Sequence, residues 1–159
     1  MTGPRADGEP AEHRRFAEYL RALEVVAETD EADLVATVLT DQDTTMADGA
    51  VGRHLDRRAA QLLTGPRFTT WAQAMTEVVQ ERDFLTRRLR EWSLLRSVAL
   101  GGSWSAEEIT GASDWFQRTA VTTETVTAPD ALLLLAEHGR TRRVRNAASR
   151  RLDQLEQSP

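Results

Sequence analysis

The chain has 159 residues, the size of one ordinary domain, and its 40% apolar and 28% charged residues are those of a globular protein with its own core. It contains no cysteine, which excludes disulfides and thiolate metal sites, and its longest apolar run, 131–136, is far below the roughly 20 residues that span a membrane. The net charge of −5 disfavours nucleic-acid binding as the default function.

The N-terminal segment is polar and contains Gly3, Pro4, Gly8 and Pro10. This composition predicts a disordered leader over residues 1–10, followed by a single all-helical domain over residues 11–156. No apolar stretch follows this segment in the sequence, so it does not resemble a secretory signal. Together with the absence of cysteine, this favours a cytoplasmic protein.

Apolar residues recur at helical spacing through the first hundred positions and predict five helices. The first helix has one apolar face, made of Phe16, Tyr19, Leu20, Leu23 and Val26. The expected caps and stops of the others are Thr29 or Asp30, the turn at 40–43, Gly65–Pro66, Asp83 and Gly101–Gly102.

Three further helices are predicted in the remainder of the chain. Ser105 and Glu108 form a capping box, so a sixth helix should open at Ala106 and run to about Ala120. The threonine-rich stretch 122–127 should be a linker.

A seventh helix should start with Thr127 as its cap and Pro129 in its first turn, and Gly139 should end it. Thr141 should cap the eighth helix. No segment alternates with a period of two over five or more residues, so strands have no support. The prediction is an all-α protein of about eight antiparallel helices, either an α-solenoid or an irregular helical bundle.

Two segments resemble HEAT repeats. The stretch 130–139 is similar to the leucine-rich first helix of a repeat, and 141–152, with Val144-Arg-Asn-Ala-Ala148, is similar to the second helix. Residues 43–55 are similar to the turn and second helix more loosely. In this resemblance Arg145 takes the position of the ladder arginine, whereas the preceding turn holds His138-Gly139-Arg140 instead of an aspartate. The resemblance implies stacked helical pairs with a concave binding surface, used mostly for protein partners.

All 20 basic residues are arginine, which we interpret as the codon bias of a high-GC bacterial genome. Several of them cluster in the predicted second helices of pairs, which line the concave side of a solenoid. They would then form an arginine strip suited to bidentate contacts with carboxylate or phosphate. The strip consists of Arg57, Arg58, Arg87, Arg88, Arg90, Arg142, Arg143 and Arg145.

Three other interpretations of these arginines stay open. The side chains could be solvated helix faces, or partners of local acids such as Asp56 and Glu91. The acidic first helices could also neutralise the strip within the molecule, since residues 1–50 hold twelve acids and four arginines. Finally, residues 140–151 hold six arginines and no acid, which suits phosphate contacts, although no aromatic residue is present there for base stacking.

No catalytic or metal-binding pattern is found. His13, His54 and His138 are far apart in sequence and lack the spacing of metal ligands. Trp71, Trp92 and Trp115 fall on predicted apolar faces and are expected in the core, while Trp104 is expected near the surface.

The sequence therefore predicts a non-enzymatic interaction or scaffold module. It has no cofactor, metal or membrane association, and it binds a protein partner, possibly an acidic one, through the arginine strip. The alternative is a nucleic-acid-associated protein that uses the same arginines on phosphates.

Overall fold

A computed structural model describes residues 10–159. Apart from Pro10, the predicted leader lies outside the described residues. Over the described range the chain folds into nine α-helices and one short 3₁₀ turn, with no strand, which confirms the prediction of an all-α protein of about eight helices.

The helix bounds follow in chain order. They are α1 (Ala11–Val25), α2 (Glu31–Val38), α3 (Thr44–Leu62), α4 (Phe68–Val79), α5 (Asp83–Ala99), α6 (Ala106–Thr110), α7 (Asp114–Thr122), α8 (Pro129–His138) and α9 (Arg142–Gln157). The 3₁₀ turn, Glu28–Asp30, leads directly into α2.

The described chain groups into two compact units. The first unit takes in residues 10–61 together with Thr69–Arg87, and the second takes in Leu62–Phe68 together with Arg88–Pro159. The core of the first unit includes Leu23, Val35, Val51, Leu55, Met75 and Leu85. The core of the second unit includes Leu89, Leu95, Ile109, Phe116, Leu132, Leu135 and Val144. Within the second unit α8 and α9 pack along each other as a helical hairpin, with α6 against α8 and α7 against α9.

Several helix ends follow from local sequence as predicted. Ser105 Oγ accepts from the Glu108 N–H at 3.1 Å, and the Glu108 carboxylate accepts from the Ser105 N–H at 2.7 Å, which completes the capping box. Thr141 Oγ accepts from the Val144 N–H at 3.2 Å and caps α9. After α5, Gly101 takes a φ of +70°, which a residue with a side chain rarely adopts, so glycine is favoured there.

Other helix ends differ from the prediction. The expected sixth helix is two helices, because the chain turns after α6 and Ser113 caps a new helix by accepting from the Phe116 N–H at 3.2 Å. The residue before α8 is Ala128 rather than Thr127, and α5 begins at Asp83 itself, so that neither Thr127 nor Asp83 is the cap. Asp30 precedes α2 as predicted but makes no side-chain capping bond.

Arginine side chains donate to carbonyls at or near the C-terminal ends of six helices, and in five of the six the arginine is distant in sequence. The last carbonyls of a helix have no partner within it, and an arginine side chain carries five donors. The donor and acceptor residues are Arg57 to Leu23, Arg82 to Leu39, Arg96 to Leu63 and Gly65, Arg140 to Ala112, Arg145 to Gly139, and Arg151 to Val121 and Thr123. Taken in the same order, the acceptor carbonyls of these six arginines lie at or near the C-terminal ends of α1, α2, α3, α6, α8 and α7. A substantial part of the arginine content is therefore used in holding helix ends.

Candidate functional site

The residues of the predicted arginine strip are divided between the two units. Arg57, Arg58 and Arg87 lie in the first unit, and Arg88, Arg90, Arg142, Arg143 and Arg145 lie in the second. Four of the eight side chains have partners within their own unit that define their position, and the other four are exposed.

Arg57 and Arg58 point toward groups of the first unit. One nitrogen of Arg57 donates to the Leu23 carbonyl at 3.1 Å and to Nδ1 of His54 at 2.9 Å. Arg58 donates to Glu31 at 3.0 Å and to Glu28 at 3.1 Å. The acidic segment before α3 thus neutralises Arg58, as one of the sequence interpretations allows.

Arg88 and Arg145 are held within the second unit. The guanidinium of Arg88 lies 3.9 Å from the ring centroid of Trp115, a cation–π distance, and Trp115 in turn packs edge-on against Trp92. Arg145 donates to the Gly139 carbonyl at 2.7 Å. Its role is therefore to hold the turn between α8 and α9, where the resemblance to HEAT repeats places a ladder arginine.

The exposed members of the strip are Arg87 and Arg90 on α5, and Arg142 and Arg143 on α9. On α9 the exposed surface continues through Asn146, Ser149 and Arg150, which follow at helical spacing on one side of the helix. We call these five residues, Arg142, Arg143, Asn146, Ser149 and Arg150, the α9 face.

The charges of α9 run against its helix dipole. The first turn contains arginines and no acid, and the last turn contains Glu156 and no basic residue. A helix is stabilised by acids at its N-terminus and bases at its C-terminus, by about 0.3–1 kcal/mol for each exposed charge at low ionic strength. The arrangement therefore costs helix stability, and it concentrates positive potential at the start of α9.

A buried polar cluster in the first unit was not predicted from the sequence. Glu31 is 3% exposed, and its carboxylate accepts from the Trp71 indole N–H at 2.8 Å and from Arg58. His54 Nε2 lies 3.3 Å from the same carboxylate. Burial raises the pKa of Glu31, but the neighbouring His54, Trp71 and Arg58 together outweigh it and hold the pKa below its ordinary value. Glu31 is therefore a buried carboxylate held by two hydrogen-bond donors, Trp71 and Arg58, with His54 beside it.

The contacts of His54 indicate which ring nitrogen accepts a hydrogen bond. Its side chain is 1% exposed and lies between Glu31 and Arg57. A guanidinium can only donate, so Nδ1, which faces Arg57 at 2.9 Å, must carry the lone pair. The other ring nitrogen, Nε2, lies on the side of Glu31. The only signal in the sequence was a histidine among the apolar residues of a predicted helix face, and nothing local pointed to Glu31, 23 positions earlier.

Two clefts adjoin this cluster on the protein surface. The larger has a volume of about 230 Å³ and lies between residues of α1 and α3, and the smaller has a volume of about 120 Å³. They share four lining residues: Leu23, Glu24, His54 and Arg57. Arg57 also has a buried Nε–H with no hydrogen-bond acceptor among the described residues.

The four tryptophans divide between the core and the boundary with solvent. Trp71 and Trp92 are buried, as predicted. Trp115, predicted in the core, is only partly buried, and the guanidinium of Arg88 lies over its ring. Trp104 is partly exposed, which agrees with its predicted place in the loop after α5.

Within residues 10–159, no three histidine, aspartate or glutamate side chains converge as a metal ion would require. No helix of the described chain is both long and apolar enough to cross a membrane. Comparison of the chain with protein-family models, with curated proteins and with solved structures found no match.

Proposed function

We propose that the protein is a non-enzymatic interaction module that binds an acidic protein partner through exposed arginines, with the α9 face as the main contact. The observation that supports this most directly is the reversed charge order of α9. Arg142 and Arg143 stand where they destabilise the helix, and no acid of the first turn offsets them. A binding role explains why arginines stand at this position.

The chemistry of the face suits a carboxylate-bearing partner. Each guanidinium can bind a carboxylate through two parallel hydrogen bonds. Arg142, Arg143 and Arg150 are all exposed, so a partner can reach them without any rearrangement of the core. Asn146 and Ser149, between them on the same face, add neutral hydrogen-bonding groups. We expect the binding to weaken as salt is added, because exposed charges are screened over roughly 10 Å at 0.1 M ionic strength.

The four engaged arginines of the strip are assigned a structural part in this proposal. Arg57, Arg58, Arg88 and Arg145 have a carbonyl, a carboxylate or an aromatic ring of their own unit as partner. Arg87 and Arg90 are exposed on α5 and remain candidates for a second contact.

Capture from native lysate with the tagged protein and with the charge-reversal double variant Arg142→Glu/Arg143→Glu tests the proposal. Glutamate in the first turn favours the helix dipole, so the variant should keep or gain stability, and a lost interaction cannot be attributed to unfolding. We expect the wild type to retain a stoichiometric protein after nuclease treatment, and the variant to lose it. The matched control Arg14→Glu/Arg21→Glu reverses two exposed charges on α1 and should bind like the wild type.

Two other outcomes of this capture experiment would contradict the proposal. A partner retained equally by both double variants would show that the α9 face is not the interface. Capture that disappears with nuclease, and falls steeply with salt across unrelated sequences, would establish the alternative in which the arginines contact phosphates.

We also propose that the α8–α9 hairpin is a HEAT-like repeat and that the protein acts in the cytoplasm of a bacterium. The hairpin supports the first point, since Arg145 holds the turn between the two helices. The second rests on the absence of cysteine and on the exclusive use of arginine as the basic residue. A solved structure in which α8 and α9 stack on a second helical pair in the same orientation would establish the repeat.

A further inference from the structure

The larger cleft of the first unit has a consistent chemistry on its walls. From α1 come Leu20, Leu23 and Glu24, which follow at positions i, i+3 and i+4 and so share one side of the helix. From α3 come Arg53 and Arg57, one helical turn apart, together with His54. The cleft thus combines an apolar side, formed by two leucines, with a side that carries two guanidinium groups.

The two arginines differ in how firmly they are held. Arg57 is fixed by the Leu23 carbonyl and by His54 Nδ1 and keeps its buried Nε–H without an acceptor among residues 10–159. Its position is therefore set by the protein itself, so that the cleft offers a guanidinium that is already oriented. Arg53 is exposed and its guanidinium lies 5.6 Å from the ring centroid of Phe16, so a turn toward a ligand would exchange this cation–π contact for a charge-assisted hydrogen bond.

The charge balance of the cleft favours an anion. Apart from His54, the charged groups on the walls are the guanidiniums of Arg53 and Arg57 and the Glu24 carboxylate. A volume of about 230 Å³ suits a small molecule rather than a cofactor of nucleotide size. The leucines provide contacts for a short aliphatic chain.

We propose that this cleft binds a small carboxylate that carries a short aliphatic chain, with the carboxylate on Arg53 and Arg57 and the chain against Leu20 and Leu23. Two sources share this chemistry: a simple carboxylic acid and an aliphatic amino acid. Glu24 distinguishes them, because only an amino acid has an ammonium group for it to bind. This site is separate from the α9 face and does not depend on the interaction proposed there.

A titration followed by ¹H–¹⁵N correlation spectra near neutral pH tests the proposal on the whole protein. The probes are isocaproate, leucine, acetate and the neutral isocaproamide. We expect saturable shifts of α1 and α3 amides with isocaproate or leucine. Binding should be at least about tenfold weaker for acetate, which lacks the chain, and for isocaproamide, which lacks the charge. Tighter binding of leucine would identify an amino-acid site, and tighter binding of isocaproate a carboxylic-acid site.

Two variants locate the site. Arg53→Gln removes an exposed charge, so the fold should persist, and we expect about tenfold weaker binding of isocaproate from the loss of a charge-assisted hydrogen bond. Arg21→Gln, an exposed arginine of α1 outside the cleft, should bind like the wild type. The proposal is overturned if neither isocaproate nor leucine gives saturable shifts, if isocaproamide binds as tightly as isocaproate, or if Arg53→Gln binds as tightly as Arg21→Gln.

Discussion

Arg151 donates to the main-chain carbonyl of Val126 at 2.6 Å, across 25 positions of sequence. The same guanidinium reaches the carbonyls of Val121 at 3.0 Å and Thr123 at 3.2 Å. One side chain of α9 therefore supplies donors both to the end of α7 and to the non-helical segment that follows it. The Val121 carbonyl lies in the last turn of α7, where a helix cannot satisfy its own carbonyls, so Arg151 supplies a donor that the helix lacks.

Replacement of Arg151 by methionine should consequently destabilise the protein. Methionine keeps much of the aliphatic volume but removes every donor, and we expect a loss of about 2 kcal/mol in the free energy of unfolding. Urea denaturation of the variant and the wild type measures it. The control is Arg150→Met, the exposed neighbour, which should stay within about 0.5 kcal/mol of the wild type. Equal effects of the two substitutions would contradict the role assigned to Arg151.

Removal of the buried Glu31 carboxylate should lower the free energy of unfolding substantially. Glu31→Gln keeps the shape of the side chain but removes the negative charge to which Arg58 and Trp71 donate. The new amide NH₂ group is itself a donor and would face these two donors without an acceptor. We expect a loss of about 3 kcal/mol at neutral pH, typical of a buried pair deprived of one partner. Urea denaturation is again the measurement. Glu28→Gln, which alters the exposed partner of Arg58, should change stability by less than about 1 kcal/mol.

The same carboxylate should also make stability depend on acid. The pKa of Glu31 is lower in the folded protein than its ordinary value of 4.5, so its contribution is fully present above that value and is lost as the pH falls through the folded pKa. The difference in unfolding free energy between the wild type and Glu31→Gln should therefore shrink as the pH is lowered below about 4.5. Urea titrations at a series of pH values test this. A difference that stays constant down to pH values well below that point would refute it.

The hydrogen bond between Tyr19 and Asp41 can be tested by following the titration of the tyrosine hydroxyl. The Tyr19 hydroxyl donates to Asp41 at 2.7 Å, and this hydrogen bond, with burial and the nearby negative charge, raises the pKa of Tyr19 above 10.0. The bond likewise lowers the pKa of Asp41. Because the chain has one tyrosine, the tyrosinate absorbance near 295 nm reports Tyr19 alone. Asp41→Asn should return the midpoint toward 10.0, whereas Asp33→Asn, an exposed acid of α2, should leave it raised.

The contribution of Tyr19 to stability has the opposite pH dependence to that of Glu31. A raised folded pKa means that the contribution is present below the unfolded pKa and is lost as the pH rises through the folded one. An identical tyrosinate midpoint in the wild type and in Asp41→Asn would argue against the hydrogen bond.

Gly139 is required by space rather than by an unusual backbone angle. A Cβ at this position would lie 2.5 Å from the Leu135 carbonyl oxygen and 2.9 Å from Cγ1 of Val144. Gly139→Ala should therefore force α8 and α9 apart at their turn and cost about 2 kcal/mol, as overpacked sites do. Thermal unfolding measures the effect. The control Gly65→Ala meets only the Leu62 carbonyl oxygen, at 3.5 Å, and should be close to neutral; equal losses of Tm would mean that the contact at Gly139 is relieved without cost.

The parts of the fold that were predicted correctly depend on residues close together in sequence. The Ser105–Glu108 capping box and the Thr141 cap each join residues three positions apart, so the sequence contains both partners. The apolar spacing that predicts helices is local in the same sense. The break between α6 and α7 has a local part, the Ser113 cap on the Phe116 N–H, and a tertiary part, since Glu91 accepts from the Ser113 N–H at 2.8 Å and from its hydroxyl at 2.6 Å. The local cap was missed because the apolar spacing from Ile109 to Ala120 continues through the break, whereas the contact with Glu91, 22 positions earlier, lies beyond any local pattern.

The sequence by itself determined that the protein is helical, where most of its helices begin, and that its basic groups are all arginines. Only the tertiary structure decided what those arginines do. Arg82 donates to the Leu39 carbonyl, 43 positions away, and Arg57 donates to the Leu23 carbonyl, 34 positions away. Arg142 and Arg143, in contrast, are exposed to solvent. An arginine has the same charge and donors in every case, so its role is set by which carbonyl, carboxylate or ring the fold brings within reach. That depends on the packing of distant helices, which no local pattern encodes.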